Sequence, residues 1–344
     1  MGAINCMNVY VTFDYELFLG PKTGTVDNCL IKPTNRLMEI AQKHKVHFIF
    51  FVDVLYLIKA HEYINTSPII KEDYNKVYDQ LVQLSKKGHD LELHIHPQWY
   101  YSMYDTLKHE WCMDFKHYKL SDCSIIDVED MISKGCSLIQ QITGKNPVAF
   151  RAGGYSFPID KRVVDLLKKY NISKDSSVMP GAKAQTDFQV YDYSSIKKSN
   201  CYRFENNISV IDPNGFFEEY PITTRYVVRL WKSLIERVIL RKHIEILNVN
   251  GDGKGVGYLN KSIMKNRRKL FDIIKPVQIR ASLDNLSSYW LNHIYWSLKR
   301  KKKNIMTIIG HPKNQTMYSF IQLDTFLTKV LSKDKVITFK DQIL

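Results

Sequence analysis

Five short stretches carry side chains able to work on one substrate. His94-Ile95-His96 sets two imidazoles at i and i+2. On a strand those positions point to the same side, so both rings can reach one ion. Imidazole suits zinc and similar divalent ions. An ordinary hydrogen-bonded histidine pair is the other reading of this dipeptide. Asp14-Tyr15-Glu16 repeats the i, i+2 spacing with carboxylates. Two carboxylates so close resist joint ionisation unless a cation is near, although the same acids would also suit a helix N-terminus. Arg151, just before Gly153-Gly154, would keep a neighbouring carboxylate ionised and able to act as a base, or would serve as a structural ion pair. The glycines let a substrate approach the backbone, whose N–H groups can face a developing oxyanion. His311 has the residue type for a general acid near neutral pH. Asp175 could hold that imidazole in place, or cap a helix in the run Asp-Ser-Ser.

Those residues need strands that end where they stand. Met7–Phe13 and Val46–Val52 read as buried strands, and His89–His96 as a third. Val148–Arg151 is a short fourth. Helices are expected over Lys32–Lys45, Tyr74–Lys87, Asp127–Thr143 and Lys161–Tyr170. Alternating strands and helices imply a mainly parallel sheet with crossover helices. The first strand runs into Asp-Tyr-Glu and lacks the Gly-x-Gly-x-x-Gly loop of an open nucleotide-binding sheet. Polar residues collect at strand C-terminal ends, the face that carries the active site in a β/α barrel. Between about Gln185 and Asn304 the pattern is less regular. It suggests a strand over Phe216–Pro221, a basic helix over Thr224–Lys242, and a Gly-rich loop with Gly251, Gly253, Gly255 and Gly257. That loop lacks the residues of a phosphate or calcium loop and reads as mobile. The whole stretch reads as more barrel plus insertions, so residues 1–344 are expected to form one domain.

The 344 residues carry a formal charge of +14, and much of the excess falls between Arg225 and Lys303. Such a surface can attract nucleic acid, phosphate-bearing molecules or anionic lipid. Zinc-finger, helix-turn-helix and aromatic RNA-binding patterns are missing, so nucleic acid is not an expected partner. The six cysteines form no C-x-x-C pair and read as free thiols. No stretch reads as a signal peptide or as a spanning segment, so a cytoplasmic protein is expected.

Five motifs, in order, resemble the polysaccharide deacetylases of the NodB-homology type: TFDYE at 12–16, GHDLELHIHP at 88–97, RAGGYS at 151–156, DSSV at 175–178 and IGHP at 309–312. The resemblance implies an α/β fold, a distorted (β/α)7-type barrel, with insertions in the C-terminal half. It also implies a metal-dependent hydrolase that removes an N-acyl group, acetyl or formyl, from an amino sugar. Asp14 matches the catalytic base, Arg151 the residue bracing it, and Asp175 with His311 the carboxylate and catalytic acid. Glu16, His94 and His96 are the implied ligands of a divalent metal, zinc first. Gln98 stands where most members place their second histidine ligand. Gly154, with Tyr155 beside it, would face the oxyanion, and Ile309 would line the acyl pocket. An N-acylated sugar linked to a nucleotide or lipid in surface-polysaccharide biosynthesis is the implied partner, with peripheral contact at the anionic inner membrane face. A metal-free amide hydrolase of the allantoinase sort and a degenerate glycan-binding protein are the alternative readings.

Overall fold

A computed structural model describes residues 6–196, 200–256 and 274–342. Gly257 and the basic run at 265–269 lie outside the described residues. The central sheet is built from β1 (Asn8–Tyr15), β2 (Ile49–Asp53), β3 (Asp90–Ile95), β4 (Ala149–Ala152), β5 (Lys174–Asp175), β6 (Tyr202–Phe204) and β7 (Phe217–Glu219). Outside it, β8 (Thr224–Val228) and β9 (Pro276–Arg280) pair with each other, while β10 (Ile305–Gly310) and β11 (Lys335–Val336) complete the sheet. The strand order is β6-β7-β5-β4-β3-β2-β1-β10, with β11 also on β1. All these pairings are parallel except β6 with β7.

The sheet curls until its two sides meet. Ile222 N–H donates to Val178, Thr223 N–H to Thr307, and Ile309 N–H to Ala281. The barrel is thus closed by the irregular segments 220–223 and 281–283, which makes it distorted.

Alternation along β1 shows how the sequence fixes two environments. Val9, Val11, Phe13 and Tyr15 join the large core cluster shared with the covering helices. Tyr10, Thr12 and Asp14 lie on the other face, inside the barrel. Tyr10 packs there with Phe51, Tyr220 and Phe339 as an apolar floor. Above that floor the interior turns polar, which is where a site can be built.

Helices α1 (Lys32–His44), α2 (Val54–His61), α3 (Pro68–Lys86), α4 (Ile125–Thr143) and α5 (Lys161–Lys169) match the expected crossovers. Pro68 opens α3 earlier than the apolar spacing suggested, because the Ser67 hydroxyl accepts from Ile70 N–H and caps it. Gly144 ends α4 at φ 74°. The basic helix expected from Thr224 starts later. Thr224–Val228 is strand β8, because its β-branched residues pair with β9. Helix α6 covers Arg229–His243, followed by α7 (Trp290–Arg300) and α8 (Met317–Leu331). Among the described residues, no helix is long and apolar enough to cross a membrane.

The Gly-rich segment is a packed strap, which corrects its reading as a mobile loop. Asp252 accepts from Thr25 N–H, the Thr25 hydroxyl and Asn28. Lys254 N–H donates to Lys22, Val256 N–H to Leu19, and Gly251 N–H to Lys313. A Cβ on Gly253 would lie 2.4 Å from the Phe18 ring and 2.7 Å from the Lys22 carbonyl oxygen. Glycine is there for close approach.

Candidate active site

Asp14 and Glu16 leave the end of β1, His94 and His96 the end of β3, and Arg151 lies on β4. His311 and Lys313 follow β10, and Asp284 follows β9. Most of these meet in a cleft of about 250 Å³, walled also by Phe18, Tyr118, Tyr155 and the strap residues Gly255 and Val256.

Arg151 is fully buried beneath the cleft. Its Nη1 donates to Asp14 Oδ1 at 2.5 Å, its Nη2 to the hydroxyls of Thr12 and Ser176, and its Nε to the Ser176 carbonyl. The guanidinium sits 4.1 Å from the centre of the Phe51 ring. Losing one partner of such a buried pair costs about 3–5 kcal/mol, so the set is structural as well as electrostatic. Burial opposes ionisation of Asp14, but Arg151, His94 and His311 outweigh it and hold the carboxyl well below its usual range.

Glu16 faces both imidazoles. Its Oε2 lies 2.7 Å from His96 Nε2 and 3.2 Å from His94 Nε2. His94 Nδ1 is 2.7 Å from the Arg151 carbonyl oxygen, so Nδ1 carries a proton and Nε2 is the ring atom turned toward Glu16. Gly153 is required beside His96, since a Cβ there would meet the Ile95 carbonyl oxygen at 2.6 Å. The three ligand atoms fall within 4.8 Å of one another. Two imidazole nitrogens and one carboxylate oxygen form a donor set that fits a zinc-like divalent ion. The local field agrees. Burial pulls the His94 pKa down, yet Asp14 and Glu16 raise it, so a positive charge is favoured at that point.

Lys313 and Asp284 were not legible as site residues. Lys313 is buried, and its ammonium donates to Glu16 Oε1 at 2.8 Å and to the Leu17 carbonyl at 2.6 Å. It occupies one carboxylate oxygen and leaves the other to the histidines. Burial works against the charge on Glu16, while Lys313, His96 and His94 keep the carboxyl ionised, well below its usual range. Asp284 binds His311 twice, accepting from its backbone N–H at 2.9 Å and standing 2.8 Å from Nδ1. His311 Nε2 then points into the cleft, 3.5 Å from Asp14 and 3.6 Å from Glu16. Burial lowers the His311 pKa, but Asp284 and Asp14 lift it well above the usual histidine range.

Asp175 does not hold His311, which corrects the expectation for that pair. It accepts from Ser177 N–H at 2.7 Å and lies in register with Glu219 on β7. Burial raises its pKa to about 6, against hydrogen bonds from Glu219 and Ser177. Glu219 is pushed up as well, by burial and by Asp175 beside it. Ile309 also lies apart from the cleft lining, in a buried cluster with Met179 and Ile222 on which Tyr155 packs. Gly154 and Tyr155 do line the cleft, both in the left-handed region at φ 59° and 61°. That conformation is strained for tyrosine, and the Tyr193 hydroxyl secures it by donating to the Tyr155 carbonyl. Asp53, at the end of β2 in register with His94, is pushed up by burial to about 8 despite His94, and is neutral near pH 7.

The family model for polysaccharide deacetylases matches residues 5–174. This part of the chain is a polysaccharide deacetylase domain. The matched deacetylase stretch holds Asp14, Glu16, His94, His96 and Arg151, while Asp284, His311 and Lys313 follow it. No curated protein shows a significant match. Among solved structures, a Mycobacterium smegmatis protein described as a polysaccharide deacetylase is 14% identical. The alignment covers 100% of this chain and 90% of that one at a TM-score of 0.52, which is a shared fold. PuuE allantoinase is 9% identical, with 99% and 90% covered and a TM-score of 0.48. A CE4 family pseudoenzyme from Bacillus anthracis is 12% identical, with 98% and 66% covered and a TM-score of 0.41.

Proposed function

We propose that the protein is a metal-dependent hydrolase that removes an acetyl or formyl group from the nitrogen of an amino sugar. The convergence of Glu16, His94 and His96 between the Asp14–Arg151 and His311–Asp284 pairs carries this reading. Because Asp284, His311 and Lys313 lie beyond the family-matched stretch, we treat the whole chain as one catalytic unit.

Glu16, His94 and His96 would hold the ion. When bound, it supplies a Lewis acid for the amide carbonyl and for water. Asp14, kept ionised by Arg151, takes a proton from the attacking water. Water oxygen bonds to the acyl carbon, and the negative charge that develops on the carbonyl oxygen faces the backbone at Gly154 and Tyr155. His311, kept protonated by Asp284, gives its proton to the sugar nitrogen as the C–N bond breaks. The products are a carboxylic acid and a free amine. In this reading the substrate is a nucleotide- or lipid-linked intermediate of surface-polysaccharide biosynthesis, met on the cytoplasmic face of the membrane. The basic residues of α6 support an anionic carrier.

The test is acyl release by the full chain, before and after chelation and zinc reloading, from N-acetylglucosamine oligomers and from nucleotide- and lipid-linked N-acetyl sugars. About one ion per chain and activity restored by zinc are expected. Absence of acyl release from every sugar, with zinc bound, would sink the sugar-hydrolase reading. One observation favours a second reading, a metal-free amide hydrolase of the allantoinase sort: Lys313 already gives Glu16 a positive partner. Full activity in ion-free protein would select it.

A further inference from the structure

Beside the catalytic cleft lies a second cavity of about 480 Å³ that presents Arg280, Lys183 and Lys232. Lys183 is held by Asp192 and Lys232 by Glu236, each at 2.6 Å. Arg280 differs, because no carboxylate among the described residues stands within 4 Å of it. Among the described residues, the one polar contact of its guanidinium is with Met179 Sδ at 3.8 Å. A partly buried guanidinium with no carboxylate in contact, and only the more distant charges of Asp284 and Asp14 acting on it, is suited to a phosphate, whose oxygens match its fork of donors.

The cavity adjoins the cleft. Tyr191 lines the one and Tyr155 the other, and their rings meet edge to face at 6.3 Å. Arg280 also ends β9 four residues before Asp284, the partner of His311.

On its other side the cavity shares Trp290 with a third space, a groove of about 510 Å³ whose wall includes Val228, Trp231, Ile235 and Tyr289, with Asn292, His293 and Gln322 as its polar members. Trp231 is 62% exposed, and Leu234 and Val238, at 42% and 51%, continue its row along α6. Positions 231, 234 and 238 fall on one helical face. Arg237 and Arg241 interleave with that row. A row of large apolar side chains left in water marks a surface built to be covered, and the neighbouring cations specify a covering molecule that is anionic as well as apolar.

Acid–base groups, an unpaired guanidinium and an apolar groove thus lie in sequence. We propose that they bind one amphiphile: an acylated amino sugar joined through a phosphate to a lipid chain. The sugar amide enters the cleft, the phosphate meets Arg280, and the first part of the lipid lies in the groove along α6. This rests on the deacylase reading for the cleft and commits its carrier to a lipid phosphate.

Calorimetric titration of the full chain with farnesyl phosphate, farnesol, uridine diphosphate and inorganic phosphate tests it. Farnesyl phosphate is expected to bind at least about tenfold more tightly than the other three. Arg280→Gln should weaken it about tenfold and Trp231→Ser about threefold or more. Trp231 is exposed, so its replacement leaves the core intact and keeps the test open even if Arg280→Gln lowers the melting temperature. Binding of uridine diphosphate as tight as that of farnesyl phosphate, or indifference to Trp231→Ser, overturns the proposal. Because titration needs no turnover, tight farnesyl phosphate binding without acyl release would fault the reaction and leave the amphiphile site standing.

Discussion

At the scale of single residues, the informative exchange is between Asp175 and Asp284. Both are buried carboxylates, and only Asp284 touches His311. Asp284→Asn should lower kcat on an N-acyl sugar by about 10²-fold, the low end of what a positioned general acid contributes. Asp175→Asn should change kcat by less than about tenfold, since asparagine keeps an oxygen for Ser177 and removes an acid from beside Glu219. Equal losses in the two variants would mean that the acid is positioned by something other than direct contact. Asp14, Glu16, Arg151 and the histidines were legible because each stands at or just past the end of a buried strand, where a short motif fixes its direction. Asp284 stands on an irregular segment after β9, so no periodicity pointed to it. Lys313 follows a proline and looks like any surface lysine until the chain folds it onto Glu16.

Among the elements, the strap at 250–256 does most to shape the cleft. It ties Lys22 and Leu19 on one side to Lys313 and Gln315 on the other, and its Gly255 and Val256 form part of the wall. Gly253→Ala would drive a methyl into Phe18 and the Lys22 carbonyl, at a cost of about 1–3 kcal/mol. The expected kinetic signature is a raised KM with a smaller change in kcat, because the wall moves while Asp14, Arg151 and His311 keep their partners. An unchanged KM in steady-state assays would show that substrate does not reach the strap. The first four strands and their helices could be read from sequence because apolar spacing and caps agreed there. From β8 onward the elements are held by long-range pairing. Thr224–Val228 reads on smoothly into the apolar spacing of α6, and only its partner β9 makes it a strand.

For the molecule as a whole, the polar barrel interior links folding to pH. Glu92 is buried, accepts from the N–H groups of Val148 and Ala149, and is raised by burial and by Asp90 to about 8. In the unfolded chain a glutamate loses its proton near 4.3. Between about pH 4 and 8 the folded state therefore binds the extra proton, and Glu92 erodes stability as pH rises through that window. Glu92→Gln keeps an acceptor and removes the proton. Its stability relative to wild type should climb by a few kcal/mol between pH 5 and pH 8 in urea unfolding. Parallel curves for the two proteins would show that Glu92 is ionised in the folded state.

The pairing of β1 with β10 also sets a timetable. Thr12 and Ile308, joined by a side-chain hydrogen bond, are 296 positions apart. While the nascent chain leaves the ribosome, β1 can find β2 early but must wait for β10. During that interval it carries an open edge of the kind that invites wrong partners, which is work for a holding chaperone. Asp14 and Glu16 wait as well, without His311 or Lys313. The set would therefore be completed in one late step, and a chain cut short before β10 would hold Asp14, Glu16, His94 and His96 without His311.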